Sequence, residues 1–158
     1  MPFWSFAVFF ITLALLQASR RLISENRAWI EQISRPSWDF TLPDSFYSKA
    51  DLAAHVLASG GIAAIHYETD GFASVSFSWF VLVAVHYSLQ QSLPYLVHSA
   101  GNLYWAFLDS FLITATASML LALTGKYSMI SVWLLAVYLL YCAFTTFRLW
   151  LIYHLNRE

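Results

Sequence analysis

Five ionisable residues interrupt the long apolar stretches of this chain, at Asp51, His55, His86, Asp109 and Arg148. An ionisable side chain among apolar helices is costly, so it usually faces other helices and pairs there or marks a ligand site. Asp109 and Arg148 fall in the same half of their predicted helices. We therefore expect these two either to form a structural ion pair or to supply a polar floor for a ligand carboxylate.

The histidines and the single cysteine are the next residues that could bind a cofactor or a metal ion. Bis-histidine haem ligation requires two histidines at equal depth on facing helices. His55 and His98 stay open as such a pair, whereas His86 lies near the middle of its predicted helix. The single Cys142 excludes a disulfide framework and a cysteine metal site. No cluster suits metal hydrolysis or nucleophilic catalysis and no glycine-rich phosphate loop occurs, so we predict no catalytic residue and no metal site.

The elements that position these residues are predicted to be membrane helices. The 158 residues are 59% hydrophobic and 11% charged, against roughly 25% charged in a soluble domain. The formal charge of -1 gives no basic surface for nucleic acid. Apolar runs predict one all-α integral membrane domain, 1–158, with a folded loop at 20–47. Its five transmembrane helices are predicted at about 3–19, 48–66, 77–97, 103–123 and 129–154.

Two of these predicted helices have alternative interpretations. A cleaved signal peptide is the alternative for the first, but its charges, Arg20 and Arg21, follow the apolar run instead of preceding it. The second helix is short for a crossing and rich in Ala, Ser and Gly between Ala53 and Ala64. Small residues let membrane helices approach closely, so we predict a central, packed helix.

Basic residues predict the orientation in the membrane. The face that holds the long loop, the 98–102 turn and the C-terminal end carries most of them: Arg20, Arg21, Arg27, Arg35, Lys49 and Arg157. The opposite face has Lys126. The positive-inside rule therefore predicts a cytoplasmic loop and C-terminal end, with the N-terminal end outside.

The long loop carries the most specific pattern in the chain. Residues 29–38 read Trp, five residues, Arg-Pro-Ser-Trp, which resembles the signature of the TspO/MBR family, the translocator or tryptophan-rich sensory proteins. The stretches 43–48, 138–146 and 153–156 resemble other family segments less closely. Departures also occur: Asp39-Phe40 stands at the family's Pro-Pro, and Asp51 and Tyr141 stand at pocket tryptophans.

This resemblance implies a ligand pocket at the cytoplasmic end of the bundle, capped by the 20–47 loop. Flat or rigid apolar molecules, such as porphyrins and sterols, are its implied occupants. The predicted ligand-binding residues are Trp29, Trp38, Phe46, Tyr47, Asp51, His55, Tyr141, Phe144, Thr145 and Trp150. Aromatic residues that merely pack helices, or sit at the membrane interface, are the alternative interpretation.

A short cholesterol-type pattern follows in the last helix, with Leu149, Tyr153 and Arg157 as the sterol-segment candidates. Such patterns are frequent by chance, and an interfacial Tyr–Arg anchor is the alternative. In the family resemblance the sterol segment itself falls near Leu149-Trp150, so the register is shifted.

We therefore predict a TspO-like membrane protein that binds a hydrophobic ligand, a porphyrin or sterol, for transport or sensing as a receptor. It needs no obligatory cofactor, and porphyrin or haem is expected as a ligand. A non-catalytic accessory subunit of a larger membrane complex is the alternative. Light-dependent porphyrin breakdown, an activity linked to the family, is disfavoured by the replaced tryptophans. The expected partners are the lipid bilayer, the ligand and a homodimer or larger complex, in a mitochondrial outer or bacterial membrane.

Overall fold

The computed structural model describes residues 2–22, 27–37, 39 and 44–157. Within this part of the chain every regular element is helical, so the all-α prediction is confirmed. The helices are α1 (Pro2–Leu22), α2 (Arg27–Gln32), α3 (Asp44–Glu68), α4 (Phe77–His98), α5 (Leu103–Thr124) and α6 (Met129–Leu155). Five of them are long, and the short α2 lies in the predicted loop. Helix α3 begins at Asp44, four residues before the predicted start of the second helix.

Side-chain caps and glycine turns set the ends of the later helices. Asn102 begins α5, because its side-chain oxygen accepts a hydrogen bond from the Trp105 amide at 3.2 Å. Ser128 begins α6 in the same way, since its hydroxyl oxygen accepts from the Ser131 amide at 3.0 Å. Gly101 supplies the positive φ of +61° in the turn between α4 and α5.

The five long helices pack in a ring. Helix α6 packs against α3 and α5, α4 packs against α5, and α1 packs against both α3 and α4. The core is built from residues of four helices: Leu16, Ala54, Ala58, Ile113, Ala117, Leu135, Tyr138 and Cys142. This arrangement turns the loop ends of α1, α3, α4 and α6 towards one another.

The outer surface of the bundle is apolar. Helices α5 and α6 are each long and apolar enough to cross a membrane, and α1 contains a shorter apolar stretch, Phe3–Ala18. Large side chains such as Phe111, Trp133 and Leu140 are exposed on these helices. An exposed apolar surface of this kind suits contact with lipid rather than water.

A closed polar network lies inside the bundle between α4, α5 and α6. His86 is 2% exposed, and its Nδ1 and Nε2 lie 2.7 Å from the hydroxyls of Thr116 and Tyr138. The Thr116 hydroxyl donates to the Leu112 carbonyl at 2.9 Å, so it accepts from His86 Nδ1–H. Tyr138 then donates to Nε2 and accepts from the Gln90 amide. His86 is therefore a structural residue with both ring nitrogens in use.

Two glycines allow α3 to approach α6 closely. A Cβ at Gly61 would lie 3.1 Å from Leu135 Cγ, whereas one at Gly60 would lie 3.5 Å from Leu134 Cδ1. Ser131 Oγ donates to the Gly61 carbonyl at 2.6 Å across the same contact. The small-residue interface predicted for the second helix is therefore observed at this point, and Gly61 is its tightest position.

We expect Gly61→Ala to be less stable than Gly60→Ala by about 1 kcal/mol. Both substitutions remove the same backbone freedom, but only the first forces Leu135 to move. Thermal unfolding of the detergent-solubilised protein, followed by circular dichroism, measures the difference. Equal midpoints for the two variants would contradict the close approach at Gly61.

Candidate functional site

A cavity of about 700 Å³ opens at the loop end of the bundle. Its walls come from α1, α2, α3, α4 and α6, together with the segment after α2 and Leu103 at the start of α5. The apolar part of the lining consists of Trp29, Ile30, Ile33, Leu93, Pro94, Val97, Leu103, Phe144, Leu149 and Ile152. A largely apolar wall of this size with a few polar groups is typical of a site for a drug-sized ligand.

Helix α2 places Trp29 over the cavity and against the turn between α4 and α5. A Cβ at Gly101 would lie 3.0 Å from Trp29 Cε2, which is tighter than most side-chain contacts and would require the indole ring to shift. Glycine is therefore needed at this position twice, for its positive φ and for the space that the indole ring occupies. The first loop is thus anchored at the turn between α4 and α5.

Residue Asn156, just after α6, binds the backbone of the same loop. Its Oδ1 accepts from the Ser34 amide at 2.9 Å, and its Nδ2 donates to the Ser34 carbonyl at 2.9 Å. Nδ2 also donates to the Ile152 carbonyl at 2.7 Å, which fixes the amide on α6. This paired contact holds the segment after α2 beside the end of α6.

An ion pair ties the loop to α6 at the mouth of the cavity. Arg148 donates from Nε and Nη2 to the two carboxylate oxygens of Asp39, each at 2.8 Å. Tyr47 at the start of α3 also donates to Asp39, and its ring lies 4.1 Å from Arg148 Cζ. A two-pronged Arg–carboxylate contact is among the stronger hydrogen-bonded pairs in proteins. We call Asp39, Tyr47 and Arg148 the latch.

The latch lowers the pKa of the Asp39 carboxyl below its ordinary value of 3.8. Burial raises this pKa, but the hydrogen bonds from Arg148 and Tyr47 and the charges of Arg148 and Arg35 outweigh that effect. Asp39 is only 4% exposed, so it is held as a buried carboxylate with its counter-charge beside it.

The inner end of the cavity is polar. Asp51 of α3 lines it and accepts a hydrogen bond from the Tyr141 hydroxyl of α6 at 2.9 Å. Below Asp51, His55 Nδ1 lies 3.2 Å from Asp51 Oδ2 and 2.6 Å from Gln17 Nε2 of α1. We call Gln17, Asp51 and Tyr141, which line this end of the cavity, the floor.

The structure brings many of the predicted ligand-binding residues together around this cavity. Those in the lining are Trp29, Tyr47, Asp51, Tyr141, Phe144, Thr145 and Leu149. Trp38 lies outside the described residues. Phe46, His55, Trp150, Tyr153 and Arg157 do not line the cavity.

Helix geometry explains why these side chains lie elsewhere. Phe46 is next to Tyr47 and therefore turned by about 100° around α3, which leaves it 42% exposed. Trp150 stacks on Phe147 with ring centroids 6.0 Å apart, on the outer face of α6. His55 lies one turn below Asp51 and supports the floor from beneath.

The sterol-segment candidates divide between two places. Leu149 lines the cavity, whereas Tyr153 stacks on Phe107 of α5 at 6.2 Å. Arg157 Cζ lies 5.7 Å from the centroid of the Tyr153 ring. Leu149 is therefore the member of the predicted set of three that lines the cavity.

The ion pair between Asp109 and Arg148 was the wrong pairing. Arg148 binds Asp39 instead, and Asp109 Oδ2 accepts from the Ser92 hydroxyl at 2.9 Å. Asp109 does not line the cavity either, so it is no floor for a ligand. Asp39 and Arg148 are 109 positions apart in the chain, so no local sequence pattern indicates that they pair.

Sequence reasoning also missed Gln17, Arg35 and His98 as lining residues. Gln17 had a usable signal, since it is a polar amide at the end of the apolar run of the first helix. Arg35 belongs to the loop signature itself. His98 was considered as a haem ligand and not as part of a pocket wall.

Comparison with known proteins agrees with this geometry over nearly the whole chain. The model of the TspO/MBR family matches residues 5–154. The chain belongs to this family. It is 32% identical over 152 residues to the tryptophan-rich protein TspO of Bacillus cereus, covering 96% of each chain. It is also 34% identical over 150 residues to an uncharacterised membrane protein, YtaB, of Bacillus subtilis, covering 95% of this chain and 94% of that one.

Family membership shows that the helix bundle lies in a membrane. This is a membrane protein of the tryptophan-rich sensory type, and its apolar outer surface is the lipid-facing surface of a membrane helix bundle. The resemblance inferred from the loop signature is therefore confirmed.

We expect Arg148→Met to loosen the loop. Removing the guanidinium leaves the Asp39 carboxylate buried without its main partner, which costs about 2 kcal/mol. Limited proteolysis with mass-spectrometric mapping should show cleavage between α2 and α3 that is about tenfold faster or more. Lys126→Met, which removes a cation from the turn before α6, is the matched control. Unchanged loop cleavage in Arg148→Met would contradict the latch.

The latch also predicts a pH dependence of stability. Because the pKa of Asp39 is lowered in the folded state, its contribution is fully present above the ordinary value of 3.8. The contribution is lost as the pH falls further, through the folded pKa. The difference in unfolding midpoint between the wild-type protein and Asp39→Asn should therefore be constant near neutral pH and shrink below about pH 4. A difference that grows with acidification would refute this assignment.

Proposed function

We propose that this protein binds a rigid hydrophobic molecule, of the size and shape of a porphyrin or a sterol, in the cavity beneath its first loop. The observation that carries the proposal is the cavity itself, about 700 Å³ in volume and walled by aromatic and aliphatic side chains. A cavity of this volume lies within the range that drug-sized ligands occupy.

The arrangement of the walls supports a flat or rigid occupant. Trp29 offers a ring from the loop side, and Tyr141 and Phe144 offer rings from α6. Such rings contact an apolar body over a large area and lose little rotamer freedom in doing so. The polar groups lie at the two ends, so they can fix the orientation of a ligand while its body contacts the apolar walls.

The loop gives the site a means of control. It is held over the cavity by the latch, by Asn156 and by the contact of Trp29 with Gly101. In our proposal ligand exchange requires one or more of these contacts to open, which couples occupancy to loop position. That coupling suits either transport of the ligand or sensing of it, and it requires no catalytic residue.

The basic residues at the loop end of the bundle support a proposal for the orientation of the protein in the membrane. Arg35 and Arg148 line the cavity at its loop end, and Lys49 follows at the start of α3. In our proposal this end faces the cytoplasm, in a bacterial or mitochondrial outer membrane. The ligand would then enter or leave on the cytoplasmic side.

Tryptophan-fluorescence quenching by protoporphyrin IX dimethyl ester, a neutral porphyrin, tests the proposal in detergent. Saturable quenching is expected, because Trp29 lines the site. Phe144→Ala should weaken the affinity about tenfold, since it removes a ring from the wall. Phe147→Ala is the matched control, because this Phe lies on the same helix with its ring exposed on the outer face.

Quenching that never saturates, or that both alanine variants leave unchanged, would count against a ligand in this cavity. The accessory-subunit alternative would then be favoured. Co-purification with a stoichiometric membrane partner would be the next observation to seek in that case.

A further inference from the structure

We propose that the cavity selects ligands that carry a protonated nitrogen, with the cationic end directed at Asp51. This inference rests on the proposed function, because it concerns the ligand class of the same cavity. It adds the charge of the ligand to the size and shape already argued.

The first step is the position of Asp51. Asp51 lines the inner end of a cavity whose walls are largely apolar, and this residue is only 6% exposed. Tyr141 donates to Oδ1 at 2.9 Å, which fixes the carboxylate between α3 and α6. His55 Nδ1 lies 3.2 Å from Oδ2, on the side away from the cavity, and His55 is absent from the lining, so Asp51 is the member of this pair that a ligand would contact.

The second step is where the positive charges lie. Arg148 is occupied by both oxygens of Asp39, at the mouth of the cavity. Arg35, the other arginine in the lining, also acts on Asp39 through its charge. Asp39 thus holds the arginine charges at the loop end, away from the floor.

The third step is the depth that separates these groups. Tyr47, which contacts both members of the latch ion pair, precedes Asp51 by one helical turn, so Asp51 is about 6 Å deeper along α3. Tyr141 precedes Arg148 by two helical turns, so Tyr141 lies about 10 Å deeper than Arg148 along α6. The cavity is therefore electrically polar, with positive charge at its mouth and negative charge at its floor.

Burial makes the floor charge the more selective of the two. Coulomb interactions are much stronger in a low-dielectric interior than at a wet mouth, where water and salt screen them. An ammonium group at the floor would gain a carboxylate partner, whereas a carboxylate there would meet like charge. An anionic ligand could interact favourably only with the arginines at the mouth of the cavity.

Three porphyrins that share one ring system test the proposal by fluorescence quenching of the full chain at neutral pH. They are protoporphyrin IX, its neutral dimethyl ester and its bis(2-aminoethyl)amide, which carries two ammonium groups. The diamine should bind about tenfold more tightly than the neutral ester, because a charged hydrogen bond in a buried site has this effect. The dicarboxylate should bind no more tightly than the ester.

The isosteric variant Asp51→Asn assigns the preference to one side chain. It should weaken diamine binding about tenfold and leave the ester within about twofold. Asp109→Asn is the matched control, since Asp109 is a comparably buried carboxylate outside the cavity.

The outcomes separate this inference from the proposed function. Saturable binding of the ester without any advantage for the diamine overturns the charge selection and leaves the apolar site intact. A dicarboxylate that binds most tightly, with an affinity lost in Arg35→Gln, also overturns it and makes the mouth the selective end. No saturable binding of any of the three overturns both proposals. The comparison of the three ligands on the wild-type chain needs no variant, so poor folding of Asp51→Asn would not prevent the test.

Discussion

The contact between Asp39 and Arg148 is the interaction on which the cavity depends. A loop that is fixed over a membrane bundle loses conformational freedom, so it needs specific contacts to stay in place. The two hydrogen bonds of the guanidinium, with Tyr47 packed on its face, supply one such contact at the mouth. The hydrogen bonds of the Asn156 amide and the packing of Trp29 against Gly101 supply two further contacts. Without them the space above α3 and α6 would be an open groove.

Several polar groups inside the bundle find a partner on another helix. His86 joins Thr116 and Tyr138, Ser131 reaches the Gly61 carbonyl, and Asp51 accepts from Tyr141. In hydrocarbon these bonds are the main directional forces between helices, because apolar packing distinguishes little between helix and lipid. Asp51 and Tyr141 also line the cavity, which is where we propose the ligand site.

The helices and much of the cavity wall were predictable from the sequence, and the contacts between distant segments were not. Apolar runs locate the long helices, and the Trp-to-Trp spacing of the loop identifies the family. Tyr141 and Phe144 could then be assigned to a wall. The partner of Arg148 could not, because a carboxylate on α5 and one in the loop are equivalent until the fold brings one of them near. Phe46 and Trp150 do not line the cavity, for a different reason. The face of a helix that meets a cavity depends on the neighbouring helices, which the sequence of that helix does not show.

The two tyrosines of α6 have a mechanical consequence. Tyr138 and Tyr141 are three residues apart, less than one helical turn, and they are bonded to different neighbours, His86 on α4 and Asp51 on α3. A rotation of α6 about its own axis would break both bonds at once. A helix with only apolar side chains could rotate more freely in these surroundings, because its faces would make similar contacts in each orientation. In this protein α6 is bonded at two points to two different helices, so these bonds fix both its rotation and its position along its axis.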